Sequence, residues 1–227
     1  MIGNATDAWR LGERQGTSVG EVAYEVFGEG PPVVLVHGTP TWSYLWRHIV
    51  PALAEHRGVY VYDLLGYGES EKGEGQDVSI AAQAHLLKEL VEVWELEEPA
   101  IAGHDIGGGI VLRAQLLEGV RFSCVAVLDA VVSVPWLSAP RSSTWHVRDH
   151  AEAYETMPNH LFRAFFSAYL GEANSSLGRD AFEAYLAPWW GEEGRRAFVR
   201  QALQVEERHT GEIEPRLASV EVPVLVG

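Results

Sequence analysis

The stretch Ala100-Ile101-Ala102-Gly103-His104-Asp105-Ile106-Gly107-Gly108 governs how the rest of the chain is read. A short apolar run, long enough for one strand, meets a helical pattern over Gly107–Glu118 through a turn with glycine on both sides of Asp105. This is the form of a nucleophile elbow, in which a side chain is thrust out of a tight, strained turn at the head of a helix. Small residues flank it because any Cβ there would clash. The central residue here is aspartate rather than serine. Taken alone, Gly-x-Asp-x-Gly equally describes an incidental glycine-rich turn, so the surroundings must decide between the two.

The runs Val19–Phe27, Val33–His37, Val59–Asp63, Ala100–His104 and Phe122–Asp129 read as strands. All but the first are continuously apolar, as expected for strands covered on both faces. Helical patterns lie between them at Ser43–Glu55, Ser79–Trp94 and Gly107–Glu118, with Ser79 placed as an N-cap. Strands alternating with helices predict an α/β protein with a mostly parallel sheet. After Pro135 the pattern becomes purely helical to about residue 210, and this segment holds 12 of the 23 aromatic residues. Helix packing accounts for most of them, and a helical lid over an apolar pocket needs the same composition. Val222–Val226 then reads as one more buried strand. The expected organisation is a first core part over 1–134, a helical insert over 135–212 and a return to the core over 213–227.

Two further loops belong with the elbow. His37-Gly38-Thr39-Pro40 follows one strand, and the backbone N–H groups of Thr39 and Ile106 would form a two-donor oxyanion hole. Asp63-Leu64-Leu65-Gly66-Tyr67-Gly68-Glu69-Ser70 follows the next strand. Three loops at the carboxyl ends of successive strands converge where open α/β sheets place their ligands.

With the helix start Thr41-Trp42-Ser43-Tyr44-Leu45-Trp46-Arg47, these motifs together resemble the α/β-hydrolase superfamily, and within it the aspartate-nucleophile branch of epoxide hydrolases and haloalkane dehalogenases. The resemblance covers about residues 19–227. It implies an α/β-hydrolase fold whose 135–212 insert is a cap domain, and it makes Asp105 the nucleophile. A carboxylate attacking an acyl carbon would give a reactive anhydride, whereas attack on an sp³ carbon bearing a leaving group gives a stable alkyl ester. Water would then hydrolyse that ester at the Asp105 carbonyl, with the Thr39 and Ile106 N–H groups receiving the developing charge.

Dehalogenases of the branch usually carry Trp after the nucleophile and often Asn in the first turn, where this chain has Ile106 and Thr39. Both departures weaken halide binding and favour epoxide opening assisted by a cap tyrosine, with Tyr154, Tyr169 and Tyr185 as candidates. Trp136 or Trp145 could still serve a halide. The resemblance also implies a general-base histidine on a loop after the last strand, about 50 residues beyond Gly227. His37 and His104 lie in the motifs, His48, His56 and His85 on helix faces, and His146, His150, His160 and His209 in the insert. Asp129, at the end of a strand, is a candidate for the acid that supports the base. Two readings of the chain stay open: the first four-fifths or so of a working hydrolase, or a binding or vestigial protein that cannot turn over. The first is favoured, because a sheet without its final strand exposes an apolar face and an unpaired edge.

Composition narrows the partners. Seventeen Lys and Arg against 32 Asp and Glu give a formal charge of -15, which repels nucleic acid and anionic membrane surfaces. The stretch Met1–Gly20 has no long apolar run, so no signal peptide is expected, and no segment approaches a membrane span. The single cysteine, Cys124, fits a reducing, cytoplasmic setting and is expected to pack as a small hydrophobe. No zinc pattern and no phosphate-binding glycine loop is present, so no cofactor is expected. The expected partner is a small apolar organic substrate, and the oligomeric state is left open.

Overall fold

The computed structural model describes residues 9–136, 143–173 and 177–227, and the side chains of all of these except 172 and 173. The first eight residues of the Met1–Gly20 stretch, and residues 137–142 and 174–176 of the insert, lie outside it. A seven-stranded sheet has the order β1-β2-β4-β3-β5-β6-β7. The strands are β1 (Glu13–Thr17), β2 (Gly20–Phe27), β3 (Pro32–Val36), β4 (Gly58–Tyr62), β5 (Ala100–His104), β6 (Cys124–Leu128) and β7 (Val224–Val226). β1 and β2 run antiparallel to their neighbours, and every pairing from β4 through β3, β5 and β6 to β7 is parallel. The apolar runs of β3 and β4 are covered on both faces, as their composition requires. Val34 and Val36 of β3 join the larger core, while Val33 and Leu35 join a second core with Val59, Val61, Trp46 and Val50 on the opposite face.

Three strand readings need correction. β1 carries no apolar run to announce it: Glu13-Arg14-Gln15-Gly16-Thr17 is polar because it forms the exposed edge of the sheet. The 222–226 run is not buried. β7 is fully exposed, with Val224, Leu225 and Val226 at 44%, 63% and 76%, because it pairs with β6 and no described element covers it. Cys124 is exposed at the first residue of β6 rather than packed.

Helix α1 (Val50–Ala54) is shorter than expected, preceded by a 3-10 turn over Ser43–His48. Pro51 sits in the first turn of α1, where its missing N–H costs nothing, and it cannot extend a helix running in from Ser43. α2 (Ile80–Val93) starts where Ser79 accepts the Ala82 N–H at 3.2 Å. α3 (Ile106–Leu116) follows β5 without a break and packs on α2. The later segment is helical throughout its described length: α4 (Ser143–Asp149), α5 (Ala151–Glu155), α6 (Asn159–Ala173), α7 (Arg179–Leu186), α8 (Gly191–Gln204) and α9 (Arg208–Gly211). Phe162, Phe166, Trp189 and Phe198 interlock in its fully buried centre, so helix packing does account for much of its aromatic content. No described helix is long and apolar enough to cross a membrane.

Candidate active site

Chain direction across the sheet reverses at β3, with β4 on one side and β5 on the other. A crevice opens at the carboxyl ends of strands where such a reversal occurs. His37–Pro40 leaves β3 there and Asp105 leaves β5. Asp105 has φ 54° and ψ -124°, a conformation that L-residues rarely hold without support. The support is backbone. Asp105 N–H donates to the Leu128 carbonyl at 3.2 Å, and the Asp105 carbonyl accepts from Gly108 and Val131 at 3.1 and 3.2 Å. The strained turn points the side chain away from the sheet, at the head of α3. There Thr39 N–H donates to Asp105 Oδ2 at 2.7 Å, and Ile106 N–H donates to the same carboxylate. Both backbone donors identified in the sequence thus meet on Asp105 itself. Gly38 allows the approach, since a Cβ on it would lie 2.5 Å from Asp105 Cβ and 2.6 Å from Asp105 Oδ2.

Asp105 keeps some accessible surface, although its carboxyl group is deeply buried. Burial raises its pKa from the ordinary carboxylate range to about 6, against the opposing pull of the Ile106 and Thr39 N–H groups. Asp63 is likewise raised to about 6 by burial, while accepting from the Ser43 and Glu69 N–H groups at 2.8 and 2.7 Å. It ties the 63–70 loop to the turn after β3.

His37 makes the same tie from the other side. Its Nδ1–H donates to the Gly38 carbonyl at 3.1 Å, its Nε2 accepts the Leu64 N–H at 2.9 Å, and burial holds its pKa down at about 3. Both ring nitrogens are occupied, so the ring serves as a strut between two loops. His104 Nδ1 has no hydrogen-bond partner among the described residues, and Asp129 lies close enough for its charge to oppose the lowering of the His104 pKa by burial. Asp129 itself is exposed, at φ 43° just past β6. Among the described residues no histidine is hydrogen-bonded to Asp105. His146 bonds the Tyr154 hydroxyl at 2.8 Å and packs on His150, and His209 is buried beside Arg113.

The three insert tyrosines part company. The Tyr154 hydroxyl is held by His146, and Tyr185 packs on Tyr44 with Arg47 at 3.4 Å from its hydroxyl. Tyr169, bonded to Thr144 Oγ1 at 3.1 Å, is electrostatically coupled to Tyr67, which is coupled in turn to Asp105. Of the tryptophans, Trp136 donates its indole N–H to Thr210 Oγ1 at 2.6 Å, and Trp145 packs under Arg148. Trp42 and Trp189 donate theirs to the Ala184 and Pro40 carbonyls.

Two residues at the site were not singled out in the sequence. The Tyr67 hydroxyl lies 3.1 Å from both Thr39 Oγ1 and Gln201 Oε1, and burial, followed by the nearby Asp105 and Tyr169, pushes its pKa up. Tyr67 falls inside the quoted Asp63–Ser70 motif, which was the available signal. Gln201, on α8, had none, because a glutamine in a surface-type helical pattern looks like a solvated residue.

The family model for the alpha/beta hydrolase fold matches residues 31–180, and the chain belongs to that family. An alpha/beta hydrolase fold protein from Burkholderia ambifaria is 37% identical, with a TM-score of 0.91 over 96% of this chain and 80% of that one. The epoxide hydrolase CorEH superposes with a TM-score of 0.72 over 94% of this chain and 80% of that chain, at 20% identity, a likeness of fold alone. Haloalkane dehalogenase 2 of Mycobacterium tuberculosis is 38% identical over 109 residues, which are 46% of this chain and 38% of that protein. The match to this curated relative therefore spans well under half of its length.

Proposed function

We propose that the chain carries the chemistry of an α/β-fold hydrolase in which Asp105 attacks an sp³ carbon and forms an alkyl-enzyme ester that water then cleaves. The observation that carries this reading is the pair of backbone donors on Asp105, with Thr39 N–H at 2.7 Å from Oδ2. The Thr39 N–H holds Oδ2, and on this reading Oδ1 is the oxygen that attacks. After attack the held oxygen becomes the ester carbonyl, and the same donors then face the charge that develops when water adds. In a serine elbow the donors would instead have to await a substrate carbonyl. The positive end of α3 adds to the stabilisation of negative charge at this point.

An epoxide is the favoured electrophile. A halide needs indole donors to receive it, and Trp136, one of the two insert tryptophans named for that role, spends its N–H on Thr210 Oγ1, as Trp42 and Trp189 spend theirs on carbonyls. Of the three insert tyrosines, Tyr169 is proposed as the one that gives a proton to the alkoxide released by ring opening, since both it and Asp105 act on the Tyr67 pKa. The helical segment acts on this reading as a cap over an apolar substrate.

Incubating the chain with a panel of small apolar epoxides and haloalkanes, followed by intact mass and product analysis, tests this. An epoxide should add its full mass to the protein or appear as the diol. A haloalkane would add the alkyl group alone and release halide, favouring the dehalogenase reading. Neither product with any electrophile of either class would overturn the proposal. The rate of ester formation should rise with pH to a plateau, with its midpoint near the raised Asp105 value of about 6, because only the carboxylate attacks. A rate that falls as pH rises through that range would contradict an aspartate nucleophile.

A further inference from the structure

We infer that Gln201 is a positioning residue, through which helix α8 fixes the Thr39 turn so that the Thr39 N–H stays aimed at Asp105. The inference rests on the nucleophile reading of Asp105. Gln201 is 1% exposed, and its Oε1 accepts from Thr39 Oγ1 at 2.5 Å and from the Tyr67 hydroxyl at 3.1 Å. The two hydroxyls are themselves 3.1 Å apart, so the three groups close a triangle. Thr39 is the residue common to both networks, with its hydroxyl on Gln201 and its N–H on Asp105. The next residue, Pro40, is held by the same helical segment, through the Trp189 indole N–H on its carbonyl at 2.9 Å.

Gln201 Nε2 has no hydrogen-bond partner among the described residues. Exchanging the amide oxygen and nitrogen does not remove the problem, because both hydroxyls meet one end of the amide and the other end is left over. A buried, half-satisfied amide costs desolvation with no return. Its helix neighbours Phe198, Val199 and Ala202 are buried and apolar, and a methionine of similar volume would complete that surface without the cost. Polar groups kept against stability in this way concentrate at functional sites. The contact that justifies this one is with the donor turn.

The test compares the wild-type chain with Gln201→Met and Gln201→Glu in single-turnover reaction with the epoxide that reacts best. Three readouts are followed: the saturating rate, the half-saturating concentration and the thermal midpoint. In Gln201→Met the saturating rate should fall about tenfold, short of the loss of a whole oxyanion donor. The half-saturating concentration should hold, and the thermal midpoint should stay or rise. Gln201→Glu keeps an acceptor for both hydroxyls and should recover most of the rate at high pH, with its rate midpoint displaced upward by the added charge.

Infrared titration of ¹³C-labelled aspartate provides a readout that needs no turnover. Weakening the Thr39 N–H bond in Gln201→Met should raise the Asp105 midpoint, because that bond favours the charged form. Asp63 is raised to about 6 as well, so the Asp105 band is taken as the one that Asp105→Asn removes, and the shift is read on that band alone. A destabilised Gln201→Met with unchanged rate and unchanged Asp105 midpoint would make Gln201 a packing residue and overturn the inference. A wild-type chain that reacts with nothing, yet whose Asp105 midpoint still moves in Gln201→Met, would locate the failure in the nucleophile reading instead.

Discussion

Asp105→Asn should form no covalent adduct with any epoxide or haloalkane that labels the wild-type chain, a loss of at least about 10⁴-fold in rate. The amide keeps the shape and still accepts from Thr39 and Ile106, but its oxygen is a far weaker nucleophile than a carboxylate. The same substitution should stabilise the protein above about pH 6. The Asp105 pKa is raised in the folded state to about 6 from an ordinary value of 3.8, so the folded protein binds its proton more tightly than the unfolded chain. Its contribution to stability is fully present below about pH 4 and is lost as pH rises through about 6. At pH 8 the wild-type chain bears the whole cost of a buried charge, on the order of 2–3 kcal/mol for a shift of this size. Asp105→Asn escapes that cost, so denaturant titrations should show the variant more stable at pH 8 and level with the wild type near pH 4. Labelling that persists in Asp105→Asn would move the nucleophile elsewhere. Equal stability at both pH values would mean that the carboxyl group is not held in a desolvated site.

The parts of this site that could be read in the sequence were those imposed by local geometry. The elbow was legible because a side chain at φ 54° between β5 and α3 leaves room only for glycine around it. The β3 and β4 runs were legible because burial on both faces demands unbroken apolar residues, Val33–Val36 in β3 and Val59–Tyr62 in β4. β1 was hidden for the converse reason: an exposed edge strand needs no apolar pattern. His37 shows the limit of motif reading, since its place in the turn was visible and its two hydrogen bonds, one of them to Leu64 across 27 positions, were not. Gln201 lies 162 positions from Thr39, and no local pattern in α8 distinguishes it from its neighbour Gln204, which caps the 76–78 loop. What the tertiary structure added was the choice, among many polar residues, of the few that meet.

Gly107→Ala should be strongly destabilising. A Cβ at this position would lie 2.5 Å from both the Val36 and the His37 carbonyl oxygens. Both are backbone atoms at the end of β3, one in the strand and one in the turn held by the His37 strut, so no flexible side chain can swing aside. The first turn of α3 would have to lift off β3. That separation pulls Asp105 from the Thr39 N–H and breaks the packing of Ile106 and Ile110 in the larger core. Overpacking of this kind costs at least about 3 kcal/mol where the neighbours cannot move. A matched control runs the other way. Gly171 lies in α6, has nothing within 4 Å of its Cβ position and is exposed, so Gly171→Ala should stabilise by up to about 1 kcal/mol through helix propensity alone. Urea melts of the two variants should therefore shift in opposite directions from the wild type. A Gly107→Ala protein as stable as the wild type would show that α3 and β3 do not approach as closely as the elbow requires, and the donor pair on Asp105 would lose its structural basis.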